Sequence, residues 1–180
     1  LYDSHDRYSN EKRLAQLSAD YVLNLNGRGD CISVSGRLRH DWYALEYTES
    51  NMFDGSGARY EGTRGYEKEH HWDFDGVASL LVNYRPSGRI EAGFQYTSYS
   101  EHGEYNIKYW DRKMKDFVWQ DNLHAPFFYR RQIHSLYVML TDRMGKVEFD
   151  AGLRADHTID ELTISVAGAD RYIRRLELFP

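Results

Sequence analysis

Residues 67 to 85 read Glu-Lys-Glu-His-His-Trp-Asp-Phe-Asp-Gly-Val-Ala-Ser-Leu-Leu-Val-Asn-Tyr-Arg, and their alternation decides the fold. The even positions from 72 are Trp72, Phe74, Gly76, Ala78, Leu80, Val82 and Tyr84, while the odd positions include Glu67, Glu69, His71, Asp73, Asp75, Ser79, Asn83 and Arg85. A period of two puts the first set on one side of an extended strand and the second on the other. The apolar side begins and ends in aromatic rings with aliphatic residues between them. From Trp72 to Tyr84, at roughly 3.3 Å per residue and a tilt near 45°, this stripe rises about 28 Å. A strand crossing an outer membrane carries an apolar band of roughly 25 Å between aromatic girdles, which is close to that height. Strands of soluble sandwiches usually have about five or six residues, so this run is out of scale for one.

The same alternation recurs outward from this segment. After Gly88, Ile90, Ala92, Phe94 and Tyr96 alternate with Arg89, Glu91, Gly93 and Gln95; from Gly145, Val147, Phe149, Ala151, Leu153 and Ala155 alternate with polar residues and Gly152. In Cys31 to Asp41, Ile32, Val34 and Leu38 face away from Ser33, Ser35, Arg37 and Arg39. An earlier strand places Leu17, Ala19, Tyr21, Leu23 and Leu25 on one face, although Glu11 to Leu17 also admits a short helix. Between these strands lie three tight turn signals, Asn26 to Asp30, Arg85 to Gly88 and Thr141 to Gly145, each supplying Gly or Pro where a hairpin needs unusual backbone angles. The three turns recur at a near-constant interval. The excursions between them, Glu49 to Gly65, Ser100 to Tyr129 and Thr158 to Arg174, are predicted as long loops at the opposite end, which describes an antiparallel meander of long hairpins.

Composition supports an all-β chain and excludes several function classes. Aromatics make up 15% of the 180 residues, 15 of them Tyr, and prolines occur only at positions 86, 126 and 180, which leaves long ladders unbroken. The formal charge of -5 gives no electrostatic reason to expect nucleic acid. Cys31 is the single thiol, so no internal disulfide forms, and no Cys/His spacing suggests structural zinc. Mean hydropathy is -0.73, and the longest apolar runs fall far short of the roughly 20 residues of a spanning helix. The polar opening from Leu1 to Arg13 lacks the zones of a secretory signal, which suggests either an intracellular protein or an internal piece of a longer one.

The stretch Phe128-Tyr129-Arg130-Arg131-Gln132-Ile133-His134-Ser135-Leu136-Tyr137, followed after a turn by Phe149-Asp150-Ala151-Gly152-Leu153-Arg154-Ala155-Asp156, resembles the barrel of TonB-dependent outer-membrane receptors. The pattern is similar to the outer-membrane β-barrel family common in Bacteroidetes, and the closing Leu178-Phe179-Pro180 resembles the start of that family's next strand. The resemblance implies a part of a large transmembrane β-barrel in the outer membrane of a Gram-negative bacterium, importing a siderophore, an oligosaccharide or a similar nutrient with energy from TonB. Residues 1–180 then form one partial barrel domain of roughly six to eight strands, too few to close, with the plug domain absent and TonB engaged only through that missing plug. Such a piece is expected not to transport by itself and to oligomerise when isolated. Outer-membrane lipid is the expected neighbour of Trp72, Phe74, Leu80, Val82, Tyr84, Ile90, Phe94, Val147, Phe149 and Leu153. The lumen is the expected neighbour of Lys146, Glu148, Asp150, Arg154 and Asp156, whose mixed signs argue against strong ion selectivity.

Several residues invite sharper readings. The acidic ladder Glu67, Glu69, His71, Asp73 and Asp75 offers oxygen ligands suited to a hard cation such as calcium, against the plainer reading of a wetted wall or rim. His70 and His71 diverge to opposite faces, which argues against a metal pair. Arg28-Gly29-Asp30 matches an adhesion tripeptide, but turn geometry alone accounts for its Gly and Asp. Tyr109, Trp110 and Trp119 are candidate contacts for a small-molecule or glycan ligand; Ile107 and Tyr109 before Asp111-Arg112-Lys113, with Phe117 and Trp119 after it, also read as a protruding hairpin. No nucleophile elbow, phosphate loop, zinc-protease helix or dinucleotide fingerprint is present, so neither an enzyme nor a cofactor is implied. The competing class is a soluble β-barrel or β-sandwich that binds a ligand or carbohydrate. There Leu80, Val82, Phe94 and Leu153 would be buried within one chain.

Overall fold

The computed structural model describes residues 2–53, 58–119, 125–164 and 169–180. They form one antiparallel sheet of eight strands: β1 (Tyr2–Asn24), β2 (Cys31–Phe53), β3 (Arg59–Arg85), β4 (Gly88–Asp111), β5 (Asp116–Trp119), β6 (Ala125–Met144), β7 (Val147–Ile164) and β8 (Ala169–Phe179). Seven strands pair in chain order from β1 to β8, and β5 folds back as a short hairpin on β4. Among the described residues β1 and β8 do not pair with each other, so the sheet is open.

Paired residues share a face, and the register turns the alternation of each strand into rows across the sheet. One row runs Tyr21, Val34, Ala78, Phe94, Leu136, Ala155, Leu178. On the other face a row runs Gln16, Arg39, Asp73, Tyr99, Arg131, Asp160, Ile173. The sheet is therefore apolar on one side and largely polar on the other over its lower half. Among the described residues nothing covers the apolar side. Leu80, Val82, Phe94 and Leu153 are 42%, 36%, 41% and 55% exposed, and Phe117 is the one hydrophobic side chain buried among the described residues. This overturns the soluble-module alternative, which requires those four side chains in a private interior.

The three tight turns gather at one end. Gly29 and Gly145 take positive φ values of 84° and 66°, which L side chains rarely adopt. In the first turn Asn26 Oδ1 accepts from the Arg28 backbone N–H at 2.9 Å, and Asn26 donates to the Asp30 carboxylate at 2.6 Å. Each turn is tied to a further strand. Asp30 accepts the Asn83 backbone N–H at 2.7 Å, beside a register shift between Asn83 and Arg85. Asp142 accepts from Arg85 Nε at 2.9 Å and from the Tyr84 hydroxyl at 2.5 Å. A bent strand end and two buried carboxylates thus hold neighbouring turns at fixed spacing.

On the polar face glycines stand opposite large rings. Gly65 pairs with Tyr47, Gly93 with Tyr137 and Gly103 with Phe127. A Cβ at any of these glycines would lie within 2.6 Å of the facing ring, so each ring lies flat over bare backbone.

Glu11 to Leu17 is strand, as its alternation reads, and not the short helix it also admitted, because pairing with β2 over the whole length of β1 satisfies its backbone. Three expectations need correction. Leu25 lies beyond the end of β1, where its N–H closes the turn onto Asp30. Lys146 sits in the two-residue turn between β6 and β7 rather than on a strand face. The excursions predicted as loops are mostly continued strand, with β2, β3 and β4 running to Phe53, from Arg59 and to Asp111. Their polar, glycine-containing sequences suit a ribbon wet on both faces, and their tips, 54–57, 120–124 and 165–168, lie outside the described residues.

Candidate functional site

The polar face above the apolar band carries the densest chemistry. Adjacent strands divide the acidic ladder of β3 into two parts. Asp75 is paired with Arg37 of β2, while Asp73 stands opposite Arg39, itself 2.5 Å from Asp41. An arginine therefore neutralises the lowest rung, the arginine opposite Asp73 is shared with Asp41, and the upper rungs meet a further acid. His71 Nε2 lies 3.2 Å from Glu69 and 3.6 Å from Glu101 of β4. Ligand atoms of Glu69, His71 and Glu101 all fall within 4.8 Å of one another, a spacing compatible with one cation. Burial, with the neighbouring Glu67 charge second, raises the Glu69 carboxyl above its ordinary range.

Around this trio lie aromatic and basic groups. Tyr99 donates to Glu101 at 2.6 Å, and its ring lies 6.1 Å from His71 and 5.8 Å from Tyr129. The Tyr129 hydroxyl reaches Asp160 at 3.2 Å, and Asp160 also accepts from Arg131 at 2.6 Å and Arg175 at 3.4 Å. Closer to the turns, Arg154 donates to Asp156 at 2.8 Å, Ser135 at 2.9 Å and Gln95 at 3.3 Å. Beside it the Tyr137 hydroxyl donates to Glu91 at 2.9 Å. Arg154, Tyr137, Glu91, Asp150 and Phe179 line a hollow of about 650 Å³. This wall offers hydrogen-bond donors and acceptors, charges of both signs and flat rings.

Glu148, Asp150, Arg154 and Asp156 share this polar face through their pairing with Arg143, Thr141, Tyr137 and Ser135. Trp72, Phe74, Leu80, Val82, Ile90, Phe94, Val147, Phe149 and Leu153 lie on the opposite, apolar face, as does Tyr84, whose hydroxyl turns to Asp142. The three candidate ligand rings do not converge. Tyr109 pairs with Thr63 and Val118 on the polar-face side, whereas Trp110 pairs with Phe117 and Trp119 with Lys108 on the other. Trp110 stacks edge-on to Phe117 at 5.4 Å with Arg59 over both rings, and Lys108 covers Trp119 at 4.3 Å. Trp110 is thus packed within the hairpin, whereas Trp119 stays 54% exposed beside Lys108.

Sequence reading missed Glu101, Tyr99 and Tyr129 as partners of the ladder. Counting back from the Arg85–Gly88 pair matches His71 with His102, but the one-residue shift at Asn83 moves the match to Glu101.

Residues 29–180 match the family model described as outer membrane protein beta-barrel family. Among solved structures the chain is similar to the ferric citrate transporter FecA in its unliganded form, with a TM-score of 0.58 and 13% identity. The alignment covers 96% of this chain and 24% of the transporter, so the chain spans about a quarter of that protein's length and the likeness is one of fold. No curated protein matches it in sequence.

Proposed function

We propose that this chain, which belongs to the outer membrane protein beta-barrel family, supplies part of the barrel wall of a TonB-dependent receptor that imports a nutrient such as a siderophore or an oligosaccharide. Family membership puts it in the outer membrane of a Gram-negative cell. The observation that carries the reading is the pair of rows, one apolar and one mostly polar, running uninterrupted across seven strands. Lipid covers the exposed apolar row, where each side chain leaves water at a gain of roughly 25 cal/mol per Å². The polar row faces the lumen, and its arginine–carboxylate pairs and tyrosines form the solute's path. Energy from TonB reaches such a wall through a plug supplied by the rest of the receptor.

Two measurements on the intact receptor test this. A lipid-soluble photolabel should modify Leu80, Phe94 and Leu153 and spare Asp73 and Arg131; labelling of the opposite set would overturn the assignment of faces. Nutrient uptake by whole cells should stop when TonB is deleted and fall when Tyr99 and Tyr129 are replaced by Ala. Uptake indifferent to TonB would refute the receptor class while leaving the barrel wall intact.

A further inference from the structure

On the face that carries the apolar band, just above it, two histidines from neighbouring strands approach each other and a third stands in register on the next strand. His40 of β2 and His70 of β3 approach with His40 Nε2 and His70 Nδ1 3.5 Å apart, their rings nearly parallel at 16°. His102 of β4 is the direct register partner of His70. We propose that His40, His70 and His102 form a transition-metal site that ties β2, β3 and β4 together where they leave the membrane.

The geometry supports this in three ways. Two nitrogens bound to one tetrahedral zinc at about 2.0–2.1 Å stand about 3.3 Å apart, so the His40–His70 pair is already at ligand spacing. Register partners have Cβ atoms about 4.5–5.5 Å apart, which brings a third imidazole within reach by rotation of its side chain. The pair is also packed: Trp72 stacks on His40 at 4.1 Å, and the Trp42 ring lies 6.5 Å from His70. An all-imidazole set selects zinc, copper or nickel over calcium or magnesium. The site is on the face opposite the lumen and does not depend on the transport reading.

The test is titration of the intact receptor in detergent with Zn²⁺, followed calorimetrically, alongside the variants His40→Gln, His70→Gln and His102→Gln. Wild type should bind zinc, and each variant at the pair should weaken binding by more than about 100-fold, beyond the ~10–100-fold loss that a supporting group causes. His134→Gln, on the same face but outside the cluster, should leave affinity unchanged. Wild type without zinc binding, or binding untouched by both His40→Gln and His70→Gln, would overturn the proposal. So would zinc lost through His71→Gln alone, which would put the ion on the lumen face. If one variant fails to assemble, the other two decide.

Discussion

At the scale of single residues, the question is whether the acids of β3 repel one another or share an ion. Glu69 is pressed by burial and by Glu67, with Glu101 adding to the repulsion and His71 relieving it. A carboxyl whose folded pKa is raised holds its proton more tightly in the native state. Its ionisation therefore costs stability, and that cost appears as pH rises through the folded pKa. Glu69→Gln should accordingly stabilise the chelator-treated receptor at pH 7, with the gain fading below the ordinary carboxylate range, where both proteins carry a neutral group. Urea unfolding at pH 7 and pH 4 measures this. If an ion bridges Glu69, His71 and Glu101, the same substitution in calcium-containing buffer should destabilise instead. The two buffers thus separate a wetted wall from a cation site, and a variant indifferent to both would dismiss any electrostatic role for Glu69.

At the scale of strands, the alternation in residues 67 to 85 was enough to place Leu80 at the middle of an apolar stripe, and Leu153 holds the equivalent place on β7. With the apolar face toward lipid, as proposed, an arginine at either position would sit deep in hydrocarbon, at a cost of roughly 2–4 kcal/mol. Leu80→Arg and Leu153→Arg should each slow or block assembly of the full receptor, read as loss of the heat-modifiable folded band on electrophoresis. Normal assembly of both would mean that the stripe faces something other than lipid. Faces and tight turns were legible because each depends on residues within one strand or one hairpin. Contacts between strands were not, since they depend on register, and one bulge beside Asn83 shifts every pair of the β3–β4 hairpin beyond it. That shift hid both Glu101 beside His71 and His102 beside His70. The continued strands above the membrane were hidden differently: Glu49 to Phe53 and Ser100 to Asp111 lack the one-sided apolar pattern because neither face meets a core, and only pairing holds them extended.

At the scale of the molecule, eight strands bury one large hydrophobic side chain among the described residues, and one face of the sheet carries a continuous exposed apolar surface. A sheet of this shape draws stability from ladder hydrogen bonds, from rings laid over glycines and from turn clamps, none of which shields Leu17, Leu38, Leu136 or Leu176 from water. Two edges add to the problem, because β1 and β8 each have one partner among the described residues and offer unpaired backbone along their free sides. Residues 1–180 expressed alone should therefore require detergent, or associate by edge pairing and by stacking apolar faces, with the polar face keeping the assembly dispersed. Sedimentation velocity over a wide concentration range should show a weight that rises with concentration in plain buffer and settles to one species in detergent micelles. A concentration-independent monomer without detergent would show that the chain can cover its own apolar face, and the assignment of that face to lipid would fail with it.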